Sequence, residues 1–190
     1  MPVSAPEPTT ARGVWLSSCD CDVVELSTYA LAAADARRRV AGLELAPFGH
    51  VGRGAGHLVL SVRPGRWLLM TTRAASGATA SGWAAAVAGQ GAVVDLSSAL
   101  AVLVLAGPRL REALARGCRL DLAAEEFAAG RAAVTIMAQV SVTLAMLPDC
   151  LLLLTPSSTA QHLREWLTAT AAPFGLMSVS GVSFTDVFGE

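Results

Sequence analysis

Three short stretches hold the residues best suited to chemistry: "CDCD" (Cys19–Asp22), "GHVGRGAGH" (Gly49–His57) and "ARGCRLDLAAEEF" (Ala115–Phe127). In a strand, Cys19 and Cys21 would point to one face and could reach one metal ion. A structural zinc site needs a second pair at comparable spacing. Cys118 and Cys150 do not form one, so plain thiols and no metal site are expected. The glycine loop carries G-x-x-G and G-x-G fragments, but a phosphate cradle needs a preceding strand, a following helix and often a lysine. This chain has no lysine at all, and the segment after the loop reads as a strand. His50 and His57 could face each other across the loop. With no carboxylate or cysteine near them, they read as solvated. His162 lies beside an apolar helical stripe, which suits a core edge or a subunit contact. There is no G-x-S-x-G elbow and no H-E-x-x-H pair.

Cys118 is the remaining nucleophile candidate. A reactive thiolate needs its pKa lowered by a helix N-terminus or a cation. Cys118 follows a helix C-terminus, whose partial negative charge opposes ionisation, while Arg116 and Arg119 should be largely solvated. It reads as a small apolar plug. Asp121, Glu125 and Glu126 could act as acids or bases, yet adjacent carboxylates after a helix usually form a solvated face. No catalytic, cofactor-binding or metal-binding residue is therefore assigned.

The 190 residues suit one domain. Hydrophobic residues make up 53% and charged residues 15%, against about 25% charged in an ordinary soluble domain. Mean hydropathy is +0.52. The most membrane-like stretch, Ala132–Leu154, is broken by Pro148-Asp149 and interrupted by Gln139. It is rich in Val, Ile and Thr, so it reads as buried strands rather than a span. Apolar surface covered by partner subunits explains the composition best. A net charge of −1 without a basic run argues against nucleic acid. No secretory h-region opens the chain, so a cytoplasmic location with reduced thiols is expected.

Elements that would position these residues emerge from patterning. Residues 1–13 read as a mobile tail. "GVWLSS" and "CDVVEL" read as two strands split by a polar kink, and the Ala- and Arg-rich run up to Gly42 as a helix. Residues 47–57 form a loop, "LVLSVRPGRWLLMT" a hairpin turning at Pro64-Gly65, and "SGWAAAVAGQG" a helix closed by Gly91. Two strands joined at Ser97-Ser98 come after it. Gly107-Pro108 then opens a helix with proline at its first position, and Gly117 is expected as its left-handed cap. Strands come next at Ala132–Ala138, Val140–Met146 and Cys150–Leu154. Ser158 and Gln161 have capping-box spacing for the last helix, whose stripe is Ala160, Leu163, Trp166, Leu167 and Ala171. The fold class is α+β, antiparallel sheets with helices packed on one face. One domain spans 14–173, divisible into sub-lobes 14–91 and 92–173. Residues 174–190 form a C-terminal tail that adds an edge strand or lies on a partner.

The segment from Val94 to Leu144 resembles the gamma subunit of heterotetrameric sarcosine oxidase. The likeness rests on Asp95, Leu96 and Ser97, on Gly107 and Pro108, and on Gly117, Cys118, Leu120, Asp121, Leu122, Phe127 and Gly130. "RPGRWLL" (Arg63–Leu69) and the helix with Trp166-Leu167 extend it over residues 43–172. Ala123-Ala124 stand where the family often has His-Pro. The resemblance implies a folate-binding fold related to the glycine-cleavage T-protein, with no catalytic residues of its own. It also implies alpha, beta and delta subunits as partners. FAD, FMN, NAD, tetrahydrofolate and zinc would sit on those other subunits.

Three function classes are open. The first is a noncatalytic structural subunit of a flavoprotein that demethylates sarcosine or a related N-methyl amino acid, with N-methylglutamate dehydrogenase as a close variant. The second is a stand-alone folate-binding-fold protein for aminomethyl transfer or iron–sulfur assembly. Against it, Arg116–Asp121 lacks the aromatic and the Gly-Gln of the assembly signature. The third is a membrane-associated adaptor. Trp67, Trp83, Phe184 and Phe188 are the interface candidates, because aromatics are enriched at interface cores.

Overall fold

The computed structural model describes residues 13–28, 39–40, 43–54 and 56–189. Its first strand, β1 (Val14–Thr28), runs unbroken through the expected kink. Its sides are buried almost throughout because it is central to everything else. After it come two short strands, β2 (Arg39–Val40) and β3 (Leu43–Glu44), paired with each other. Residues 29–38, the heart of the expected helix, lie outside the described residues.

In place of the expected glycine loop, β4 (Val51–Gly54) forms a hairpin with β5 (His57–Arg63). Glycine removes side-chain bulk but does not prevent ladder pairing, and β5 supplies a long template. β5 turns at Gly65 (φ +71°) into β6 (Arg66–Thr72), as the Pro64-Gly65 signal requires. Helix α1 (Ala78–Ala86) stops before Gly89 (φ +77°), so the expected stop at Gly91 is displaced, and Gly91 opens β7 (Gly91–Asp95). β7 is followed by β8 (Leu100–Ala106) and α2 (Leu110–Leu114). Arg109 is the N-cap of α2, so Pro108 stands just before the helix rather than at its first position.

β9 (Ala132–Met137), β10 (Val140–Met146) and β11 (Leu151–Pro156) occupy the stretch that composition made membrane-like. No helix among the described residues is long and apolar enough to cross a membrane. A short 3-10 turn precedes α3 (Ala160–Ala171). The Ser158–Gln161 box does not form; Gln161 instead donates to Glu165 Oε1 at 3.0 Å. The α3 stripe does bury Leu163, Leu167 and Ala171, with Trp166 half-buried beside them. Burying such leucines contributes roughly 2–3 kcal/mol each.

Residues beyond 174 are part of the fold. β12 (Leu176–Ser178) and β13 (Val182–Ser183) pair in parallel with β1. α4 (Phe184–Phe188) begins with the capping box that α3 lacks, built from Ser183 and Asp186.

Eight strands run in the order β4-β5-β6-β1-β8-β11-β10-β9. β1 serves both halves. Its first residues pair with β8 and β12, its later ones with β6 and β7. A cut at residue 91 therefore does not separate two lobes, since β7 returns to β1. The antiparallel α+β reading holds, with α2 and α3 packed on the core face formed by Leu103, Leu105, Leu144 and Leu153.

The β9–β10 turn uses Ala138 (φ +49°) and Gln139 (φ +65°). A two-residue hairpin turn of this kind favours Asn-Gly or Gly-Gly. The pair is held by contacts from elsewhere: Ala138 N–H donates to Gly117 O at 3.3 Å, and His162 Nε2 lies 3.2 Å from Ala138 O. Gln139→Gly is expected to stabilise the chain by about 1 kcal/mol, read as a Tm higher by roughly 3 °C.

Candidate functional site

The motif residues divide into three local constructions. In the first, Asp95 ends β7 and its Oδ1 accepts from Ser97 N–H at 2.9 Å. Hydrogen bonds from the Ser97 hydroxyl and N–H hold the Asp95 carboxyl below the usual carboxylate range. Ser97 Oγ in turn accepts from Val23 N–H at 3.1 Å. This turn ties the β7–β8 loop to β1.

In the second, Gly117, Cys118 and Trp166 come together. Gly117 has no positive φ, so the expected left-handed cap is not there. Glycine is needed for space instead: a Cβ would lie 2.3 Å from the Trp166 ring. Cys118 N–H donates to Leu114 O at 3.0 Å, and the residue bridges to Met137. Burial pushes its thiol pKa up, outweighing the hydrogen bonds from Leu120 and Thr135 that act the other way. Thiolate chemistry is disfavoured there.

The third construction is the 121–130 loop. Asp121 Oδ1 accepts from Ala123 N–H at 2.8 Å, and Arg111 donates to Leu122 O and, at 3.0 Å, to Phe127 O. Phe127 is buried, and Gly130 (φ +88°) donates to Met146 O at 2.8 Å. Glu125 and Glu126 are exposed. The motif residues of these three constructions are held by contacts within the chain.

Histidines do not converge. His50 Nδ1 lies 3.0 Å from Phe48 O, and its Nε2 lies 3.2 Å from Arg131 Nη1. His57 stacks edge-on against Trp83 at 5.9 Å. His162 meets the β9–β10 turn. Among the described residues no three His, Cys, Asp or Glu side chains form a group able to hold a metal.

Cys19 and Cys21 are buried in one core and hydrogen-bonded to each other. That bond, with burial, pushes the Cys19 thiol up. Cys150 packs against the same core, a proximity with no signal in the sequence, and burial pushes its thiol up to about 12. An acid whose folded pKa exceeds its unfolded value of 9.0 stabilises the fold below that value and loses the contribution as pH rises. Stability should therefore fall between pH 9 and about 12, by about 1.4 kcal/mol per pH unit from Cys150. Urea midpoints across this window check it, and Cys150→Ala should flatten the slope.

Of the interface candidates, Phe184 is 1% exposed and belongs to this chain's own core, with Phe188 against it at 4.6 Å. Trp67 is half-buried, its Nε1 donating to Ala46 O at 2.8 Å, and Trp83 is half-buried. Large apolar exposure falls instead on Phe48, Val94, Val134, Ile136 and Met177. Val134 lines a cleft of about 180 Å3 between the β5–β6 hairpin and β10. Small-molecule sites run to about 300–1,000 Å3, so this cleft is small beside them.

No family model matches the chain, and no curated protein matches it. Solved structures do. A chain of the heterotetrameric sarcosine oxidase from Corynebacterium sp. U-96, in complex with pyrrole 2-carboxylate, aligns at a TM-score of 0.75 and 28% identity, covering 93% of this chain and 92% of that one. Glycine cleavage system aminomethyltransferase T from Bartonella henselae aligns at a TM-score of 0.63 and 15% identity. That match covers 90% of this chain but 48% of the transferase. The fold is the folate-binding type of the T-protein. Within it, the chain is similar from end to end to a sarcosine oxidase chain of nearly equal length, as the motif series implied. To the T-protein the likeness is one of fold.

Proposed function

We propose that this chain is the gamma-type, noncatalytic subunit of a heterotetrameric flavoprotein that oxidatively demethylates sarcosine or a related N-methyl amino acid. The observation that carries the reading is the end-to-end match to a chain of heterotetrameric sarcosine oxidase. The local contacts of Asp95, Gly117, Asp121 and Phe127 support it, since each fixes a loop or a packing contact. On this reading the alpha and beta subunits hold FAD and FMN, alpha also NAD and tetrahydrofolate, and delta zinc. The chain works in the cytoplasm, and its own role is to hold partners in place.

Native mass spectrometry of the assembly purified through a tag on this chain tests the reading. Larger flavin-bearing subunits and a small zinc-bearing one should co-purify, and the assembly should reduce a dye when given sarcosine or N-methylglutamate. A lone monomer that binds tetrahydrofolate tightly would instead establish the stand-alone reading.

A further inference from the structure

The strand ring closes at one end only. His50 bridges to Arg131, Ala132 N–H donates to Gly49 O at 2.9 Å, and Val51 N–H donates to Gly130 O at 2.8 Å. Gly49 N–H also donates to Ser61 O at 2.7 Å, so residues 49–50 fill the gap between β5 and β9. Past Ala132 that filling ends. Backbone groups on a strand alternate between its two edges. Ala132 N–H bonds outward to Gly49, and Ile136 C=O accepts outward from Arg119 N–H at 3.2 Å. Val134, midway between, must also direct its N–H and C=O away from β10. Neither these nor Ile136 N–H has a partner among the described residues. The open edge spans about 13 Å between Gly49, opposite Ala132, and Arg119, opposite Ile136, which leaves room for about three extended residues.

Side chains around this opening are specific too. Val134, 42% exposed, lines the cleft together with Val62, Leu100, Val142 and Leu154, and Ile136, two residues on along β9, is 38% exposed. Two arginines rim the cleft. Arg66 is paired with Glu25 at 2.9 Å, while Arg63 is exposed and has no acidic partner among the described residues. An uncharged, apolar open edge without proline invites unwanted pairing unless something covers it.

We propose that an extended apolar segment of a partner subunit, carrying a carboxylate, adds as a strand to the open edge at Val134–Ile136 and pairs with Arg63. This rests on the subunit reading above and names the contact through which it operates. Unpaired backbone groups call for an extended main chain, the cleft for apolar side chains, and Arg63 for the acid. A second copy of this chain would offer "AAVTIM", which has no carboxylate to answer Arg63.

Val134→Pro separates the possibilities, because the lost N–H points away from β10 and the ladder stays intact. The full-length tagged chain and its variants would be expressed in the source cells and the assemblies compared. Val134→Pro should fold, with a Tm within a few degrees of the parent, yet recover at least tenfold less partner subunit. Arg63→Glu, a change to an exposed side chain, should weaken recovery about tenfold without touching the backbone. In hydrogen exchange, the Val134 and Ile136 amides should be fast in the isolated chain and slow in the assembly. Full partner recovery by both variants overturns the edge contact and leaves the subunit reading standing. An unaltered chain that recovers no partner overturns both. A parent dimer that Val134→Pro converts to monomer assigns the edge to a second copy, and slow amides in the isolated monomer assign it to this chain's own residues; either outcome overturns the proposal.

Discussion

Gly107→Ala should destabilise the chain by about 3–5 kcal/mol, through a disallowed backbone conformation added to overpacking. Gly107 has φ +113°, and a Cβ there would stand 2.2 Å from Gly13 O. That oxygen is main chain just ahead of β1, and β8 enters the residue with Ala106 fixed opposite Trp15. Nothing in this contact can rotate away, unlike the end of a flexible side chain. Gly82 supplies the contrast. It sits inside α1 with ordinary φ and open space around it, so Gly82→Ala should stabilise by about 0.5–1 kcal/mol. Urea midpoints of the two variants measure the difference. Equal stability of Gly107→Ala and the parent would remove the steric argument.

The second half of the chain is legible in the sequence because its signals are local. β10 matches its expected bounds and β9 ends one residue early, since alternation and the Pro148 break need no knowledge of distant neighbours. The hairpin at Pro64-Gly65 and the Leu163–Leu167–Ala171 stripe are local in the same way. β1 reads as two strands in the sequence because "SCDC" looks polar. Yet Cys19 and Cys21 are buried, and only Asp20 faces outward. What keeps the strand continuous is its change of partners, from β8 before it to β6 after it, which only the assembled sheet reveals. Gly117 stands where local pattern puts a glycine, but for a different cause: the Trp166 ring, 49 residues away. Motif order carries the resemblance. The open edge of β9 has no signal, because an unpaired strand is defined by which segments fail to reach it.

Asp22→Ala should cost about 2–4 kcal/mol, because it strands buried donors. The Asp22 side chain is 8% exposed and accepts three hydrogen bonds across the β6–α1 connection. Arg73 Nη1 donates at 3.2 Å, Ala74 N–H at 3.1 Å and Thr79 Oγ1 at 2.5 Å. These contacts anchor the start of α1, a helix that buries no side chain of its own fully and has no side-chain cap. Arg73 contributes least to the loss. It is 42% exposed and keeps Asp20 at 2.7 Å, so solvent and a second carboxylate offset its missing partner. The decisive losses are the Ala74 amide and the Thr79 hydroxyl, both on Oδ2. Asp22→Asn retains one acceptor oxygen but must turn its NH2 toward either Arg73 or the Ala74–Thr79 pair, all donors, so it should fall between alanine and the parent. A double-mutant cycle with Thr79→Val isolates the hydroxyl, with an expected coupling of about 1 kcal/mol. Zero coupling would assign the stability of this connection to the Ala74 amide and the ion pair alone.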